Sequence, residues 1–324
     1  MTPRELNDSI KRGEFRQVYL LYGEERYLVE HYAKAMAAAI GEPDTFDNTA
    51  TVASIIMAAE SLPFLSEKRL VWVRDSKLFA TGRKAESEAM AEYLPQVPDS
   101  TVLVFTEADV DRRGKLYKKM AALGGAVDCE APSSQVLTAW LARIFGEKGK
   151  SIEPSAANLI IRYTAHNMTA LAQEADKLAA YTGQRPTVTT RDIEAVCTPT
   201  LQTRVFDLIG EMAKGNKPAA LNMYHNMLQM KEQPLMILAM IIRQFRIVLM
   251  AKAANDRRMP KAQMAKELGL RSFVVDEALG QGRRFTVEKL FHALGDCQDI
   301  DIKVKTGLIN DAVGVELLIL QYGA

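Results

Sequence analysis

Residues 17–22, Gln-Val-Tyr-Leu-Leu-Tyr, form a short apolar run that ends on Gly23-Glu24-Glu25-Arg26-Tyr27, where a helical pattern starts at once. A buried strand that turns through glycine into a helix is a place where proteins hold nucleotide phosphates. That chemistry needs several backbone N–H groups around the phosphates, a Lys for the β- and γ-phosphates and a Ser or Thr hydroxyl for Mg²⁺. This chain offers one glycine and then two carboxylates, which repel a triphosphate. Gly23, Glu24, Glu25 and Arg26 therefore read as a degenerate nucleotide loop that is not expected to bind. Glu24 and Glu25 are read as acids favourable to a helix N-terminus. A second strand pattern, Val71-Trp72-Val73-Arg74-Asp75, ends in a single Asp after an Arg. The paired acids expected for Mg²⁺ and water activation are missing there.

Other catalytic chemistry is equally thin. His31, His166, His225 and His292 are dispersed, and Cys129, Cys197 and Cys297 lie far apart with no CxxC spacing. No metal site and no catalytic residue are expected from them. Neither GxSxG nor HExxH occurs. The 324 residues carry 41 basic and 40 acidic side chains, so no bulk charge demands nucleic acid or a membrane. A hydrophobic share of 48% is enough to bury substantial cores in two or three domains. Sparse, odd cysteines fit a reducing cytosol. The N-terminus lacks an apolar signal core, and the longest apolar run, near 235–242, is too short to span a bilayer. A cytoplasmic protein without membrane association is expected.

The elements that must position these residues fall into three stretches. Over 15–130, short apolar runs at 18–22, 45–47, 69–74, 101–105 and 126–129 alternate with helical patterns. Runs rich in Val, Leu and aromatics suit strands covered on both faces. Thr51 is a candidate cap for a helix burying Val52, Ile55, Ile56 and Ala59, and 84–93 and 115–123 are further helices. This is α/β alternation with a mainly parallel sheet. After 131–134 the strand signals stop. Patterns at 136–145, 154–163, 168–181 and 190–196 predict a small helical domain. From 204 the chain is helical again, at 205–214, 218–229, 235–254, 261–268, 272–279, 286–305 and 311–320. The expected division is 1–133, 134–203 and 204–324. The Met-rich stretch 221–250 reads as helix–helix filler.

Two further segments carry interaction chemistry. Leu62-Pro63-Phe64-Leu65 follows an amphipathic helix and precedes a strand, and Pro63 ends the helix. Displayed on such a turn, Phe64 would be an apolar wedge, the type of side chain that makes interface hot spots. By residue type alone Phe64 belongs in the core, because most Phe are buried. Asp111-Arg112-Arg113-Gly114-Lys115-Leu116-Tyr117-Lys118 is a basic cluster at a helix start. Its ordinary reading is a solvated surface; its functional reading is contact of Arg112, Arg113, Lys115 and Lys118 with DNA phosphates or an acidic subunit edge. Residues 243–284 hold ten basic and four acidic side chains, a local balance of +6.

Three segments resemble the clamp-loader branch of the AAA+ family, and within it the delta-subunit family of bacterial DNA polymerase III. They are 19–28 (a degenerate first loop), 62–71 (a clamp-binding segment running into the third strand) and 111–118 (a charged turn after the fourth strand). The resemblance runs over essentially the whole chain. It implies α/β plus all-α architecture: an AAA+-like parallel-sheet domain with a degenerate P-loop, a helical lid and a C-terminal helical collar. It implies that Leu62, Pro63, Phe64 and Leu65 bind the sliding clamp (beta subunit) and open it. It further implies partnership with the other loader subunits, of gamma/tau and delta-prime type, and with primer-template DNA inside the assembled complex. The Ser-Arg-Cys triplet that carries the arginine finger in related subunits is absent. No cofactor and no intrinsic activity are expected of a subunit that serves a DNA-directed DNA polymerase holoenzyme. Two rival readings remain: an ATPase with an unorthodox loop, marked by nucleotide binding of the isolated chain, and a DNA-binding adaptor that engages no clamp.

Overall fold

The computed structural model describes residues 1–63 and 66–323. The chain forms two compact units, Met1–Pro132 and Ser133–Ala324.

The first unit is built on strands β1 (Val18–Tyr22), β2 (Asp44–Phe46), β3 (Arg69–Arg74), β4 (Thr101–Glu107) and β5 (Ala126–Asp128), paired in the order β2-β3-β4-β1-β5. All four pairings are parallel. Parallel strands need crossovers, and α2 (Arg26–Ile40), α3 (Val52–Glu60), α4 (Lys84–Tyr93) and α5 (Lys115–Ala122) supply them, while α1 (Pro3–Arg12) precedes β1. Both sheet faces are covered, which is why β1 and β4 are buried at every position. Alternation along β1 sorts the side chains. Val18, Leu20 and Tyr22 join Ile55, Met90 and Leu116 from α3, α4 and α5. Tyr19 and Leu21 join Leu6, Val29 and Met36 from α1 and α2.

Local chemistry explains the ends. Helix α1, absent from the sequence reading, turns Leu6 and Ile10 to the core and starts on a capping box: Thr2 Oγ1 accepts from Glu5 N, Glu5 accepts from Thr2 N, and Pro3 stands at the first helical position. Strand β4 runs two residues beyond the expected Phe105, to Thr106 and Glu107, because both polar side chains find partners inside. Strand β2 lies one residue earlier than expected, and β5 ends at Asp128.

The second unit begins with α6 (Ser134–Glu147), α7 (Pro154–Tyr163), α8 (Met168–Tyr181) and α9 (Thr190–Val196). It is not purely helical, which corrects the sequence reading. Strands β6 (Ser151–Ile152) and β7 (Thr187–Val188) pair in parallel. Two-residue strands carry too little pattern to be seen in sequence. The unit continues with α10 (Leu201–Ala213), α11 (Lys217–Gln229), α12 (Pro234–Asp256), α13 (Lys261–Leu268), α14 (Ser272–Gly282), α15 (Val287–Lys305) and α16 (Asp311–Tyr322). Helix α12 extends well past the apolar run at 235–242. Its extent agrees within two residues with the helical pattern at 235–254, and by length and composition it could cross a membrane. Instead Ile237, Ile241, Phe245 and Val248 pack in the bundle core with α10, α11, α14, α15 and α16. Arg243 and Arg246 stay exposed on the opposite face of α12. Segment 134–203 meets the rest of the unit through Arg162–Asp207 (3.1 Å), Thr203 Oγ1 donating to Arg162 O (2.8 Å) and the His166 ring stacked on Phe273 at 3.5 Å. Burial pushes the His166 pKa down to about 4, with Arg271 adding to the effect, so this imidazole is neutral. Cys129, Cys197 and Cys297 are buried, and their thiols are pushed up to about 12, chiefly by burial.

Asp192 ties the β7–α9 corner. Its carboxylate accepts from Thr189 N and Oγ1 (both 2.9 Å) and from both terminal nitrogens of Arg185 (2.6 and 3.2 Å). These donors, Arg185 foremost, hold its pKa down to about 2. The folded value lies below the unfolded one near 4, so this stabilisation is full above about pH 4 and fades as pH falls towards 2. Asp192→Ala is expected to lower unfolding free energy by about 1–3 kcal/mol at pH 7. Urea titrations should show the gap from wild type closing between about pH 4 and 2.

Candidate functional site

Because every strand points the same way, the sheet has two chemically different edges. The predicted loop 23–26 and the basic cluster 112–118 leave the carboxyl ends of β1 and β4. Leu62 and Pro63 precede the amino end of β3. The candidate residues are therefore split between opposite edges.

At the carboxyl edge the nucleotide loop is three residues long, Gly23 to Glu25. Gly23 has φ +135°, and a Cβ there would lie 2.5 Å from the Cys129 carbonyl oxygen. Glycine is required because the chain leaving β5 passes so close. Glu25 N donates to that carbonyl (3.0 Å), and Cys129 N donates to Tyr22 O (2.6 Å). Glu25 is buried and caps α2, accepting from Tyr27 N at 3.2 Å. The helix N-terminus that would face a phosphate is filled by the protein's own carboxylate. One turn on, Arg26 pairs with Asp75 and Glu30 with Arg74, both at 3.1 Å. Asp75, the lone acid after β3, is thus an ion-pair partner and sits at φ +46°.

Glu107 is a residue that pattern reading missed. It ends β4, is only 2% exposed, and organises the turn after β3. Oε1 accepts from Ser76 N (3.0 Å) and from Ser76 Oγ, and Oε2 accepts from Lys77 N (3.2 Å). Burial raises its carboxyl above the usual range, and the Ser76 and Lys77 donors pull it back in part. An acid within an apolar strand run was the available signal, since a buried carboxylate needs several donors.

The basic cluster is largely neutralised. Arg112 pairs with Asp128 and lies 5.3 Å from the Tyr22 ring centroid; Tyr22 and Tyr117 share a hydroxyl hydrogen bond of 2.9 Å. Arg113 pairs with Asp111 (3.1 Å) and Lys115 with Glu92 (3.2 Å). Arg113, Lys115, Lys118 and Lys119 line an open groove of about 700 Å³ floored by Ala91 and Pro95. In the second unit, Lys261 pairs with Asp276 and Lys252 donates to Gly282 O (3.2 Å), within the stretch of +6 balance.

At the amino edge, α3 ends at Ser61, whose hydroxyl donates to Met57 O (2.8 Å). Leu62 is 81% exposed and Met57 70%. Pro63 is half-buried. Phe64 and Leu65 lie outside the described residues. On the far side Ser66 Oγ donates to Lys68 O (2.9 Å) before β3 begins. An exposed Leu on a helix-ending turn offers apolar contact area and no catalytic chemistry.

Removing the Glu107 side chain would take the acceptor from the buried Ser76 amide and hydroxyl and from the part-buried Lys77 amide. Glu107→Ala is expected to cost about 2–4 kcal/mol in urea unfolding. Glu107→Gln, which keeps one acceptor, should cost less.

Comparison with known proteins identifies the family. The family described as DNA polymerase III, delta subunit, matches residues 19–130, and its C-terminal domain matches 202–322. The chain is 26% identical to DNA polymerase III subunit delta of Bacillus subtilis, covering 97% of this chain and 94% of that one. It is 22% identical to a probable DNA polymerase III subunit delta of Aquifex aeolicus, over 69% and 67% of the two chains. The solved structure of the Bacillus subtilis DNA clamp loader delta protein superposes with a TM-score of 0.79 at 25% identity, covering 99% of both chains. That likeness spans the parallel sheet and the C-terminal helical domain alike. With its two family matches spanning most of its length, the chain belongs to the DNA polymerase III delta subunit family, the delta subunits of the replicative clamp loader.

Proposed function

We propose that this chain binds and opens the sliding clamp during DNA replication, as a subunit without catalytic activity of its own. The observation that carries the reading is Leu62, a large apolar side chain 81% exposed where α3 ends, in a chain of this family. Leu62, Pro63, Phe64 and Leu65 form the proposed wedge. Such a wedge opens a ring only by binding the open form better than the closed one.

The filled carboxyl edge supports a subunit that uses no nucleotide. Glu25 occupies the helix N-terminus, Asp75 pairs with Arg26, and Glu107 is engaged by the turn at 76–77. The strand order β2-β3-β4-β1-β5 supports assignment of the first unit to the AAA+ fold. Within the second unit, 134–203 is proposed as the lid and 204–324 as the collar that holds the loader subunits together. Val313, Leu317 and Leu320 stand exposed at helical spacing on α16, which suits packing against gamma/tau-type and delta-prime-type subunits. Arg113, Lys115 and Lys118 are proposed contacts to primer-template DNA or to a neighbouring subunit in the assembled complex, with Arg112 more firmly held by Asp128. A cytoplasmic location follows from this role.

Surface plasmon resonance against the cognate clamp tests the wedge. Wild type should bind, and Phe64→Ala should weaken binding by about 30- to 1,000-fold, the effect of removing a hot-spot aromatic worth roughly 2–4 kcal/mol. An unchanged circular dichroism spectrum would assign the loss to contact. Unaltered binding would move the site away from 62–65. Calorimetric titration with ATP and Mg²⁺ should give no heat of binding to the isolated chain; saturable binding would favour the ATPase reading.

A further inference from the structure

The Leu62 backbone carbonyl accepts a hydrogen bond from the sheet edge. Leu62 projects into solvent, and Pro63 borders an open groove of about 310 Å³ lined also by Ile40, Asp44, Ser66, Arg69 and Leu70. One side chain crosses this region. The Arg69 guanidinium pairs through Nη2 with Asp44 Oδ2 at 2.6 Å and donates through Nη1 to the Leu62 carbonyl at 3.3 Å. Its Nε is buried and has no hydrogen-bond partner among the described residues. The Arg69 backbone is fixed in turn, its N–H donating to Ser100 O at 2.7 Å. Asp44 and Arg69 begin the neighbouring strands β2 and β3, so the pair is anchored to the sheet at both ends. The following flank is tied as well: Lys68 Nζ reaches the carbonyls of Phe15 and Asp99, each at 3.4 Å.

We propose that Arg69, oriented by Asp44, is a positioning residue that presents the clamp-binding segment by bridging the sheet edge to the Leu62 carbonyl. This rests on the clamp-binding reading above. A planar guanidinium reaches two acceptors in fixed directions, whereas an ammonium keeps one charge pair and loses the fork. A Leu62 backbone already fixed by this bond loses less conformational freedom when its side chain docks, and that difference appears in affinity. Arg69 touches no partner in this account; it acts through the segment.

The test is clamp binding by surface plasmon resonance with the full chain and the cognate clamp ring. Arg69→Lys and Asp44→Asn are each expected to weaken binding about tenfold, equal to the loss of one charge-assisted hydrogen bond of about 1.4 kcal/mol. Melting temperatures should stay within a few degrees of wild type. The readout that a merely structural role would not move is coupling to the wedge. In a Phe64→Leu background, which keeps binding measurable, adding Arg69→Lys should cost less than about twofold. Wild-type affinity in both anchor variants, or a tenfold loss that adds fully to Phe64→Leu, overturns the proposal. Should Arg69→Lys lower the melting temperature, Asp44→Asn carries the test, because it leaves Arg69 in place. Loss with Phe64→Ala but none with either anchor variant removes this proposal and leaves the clamp-binding reading intact. A wild-type chain that does not bind the clamp removes both.

Discussion

The parallel pairing of β1 between β4 and β5 is the constraint on which the first unit depends. Parallel strands must be returned by crossovers, and the crossovers bury both sheet faces. The same directionality makes the two sheet edges unlike. Helix N-termini and strand C-termini gather at one edge, where an open α/β sheet offers a ligand site. The other edge receives incoming chain. In this protein the first edge is sealed by its own side chains, and the second displays apolar surface.

The sealing has a physical logic. A phosphate site is an array of unpaired backbone N–H groups at a helix start. Glu25 takes the donor at the start of α2, and Glu107 takes those at Ser76 and Lys77. Cys129 O passes where a longer loop would have to bend, which fixes Gly23. Arg26, Asp75, Glu30 and Arg74 then close the gap between α2 and β3 in two ion pairs. Exposed pairs of this kind contribute little stability. Their effect is to place matched charge between α2 and β3.

The second unit solves a different problem. Helix α12 is apolar for most of its length and must be surrounded, and α10, α11, α14, α15 and α16 surround it. Segment 134–203 joins the rest of the unit through a few definite contacts: the Arg162–Asp207 pair, the Thr203 bond to Arg162 O and the His166–Phe273 stack. A stacked, buried imidazole favours its neutral form, so this contact is a packing element and no proton carrier at neutral pH.

The apolar runs at 18–22 and 69–74 and the periodicity of 154–163, 168–181 and 261–268 were sufficient to place those elements, because each repeats one signal over several residues. The lost lysine and the acids after Gly23 already argued against nucleotide chemistry by residue type. Helix α1 was missed although its capping box and its Leu6–Ile10 pair, one turn apart, were there to read, and β6–β7 was missed because two residues make no period. What only the tertiary structure decided is pairing across distance. That Cys129 O sits over Gly23, that Glu107 serves a turn thirty residues earlier, and that Arg69 spans Asp44 and Leu62 depends on strand order and register. Local sequence sets which groups can pair; the fold sets which of them meet.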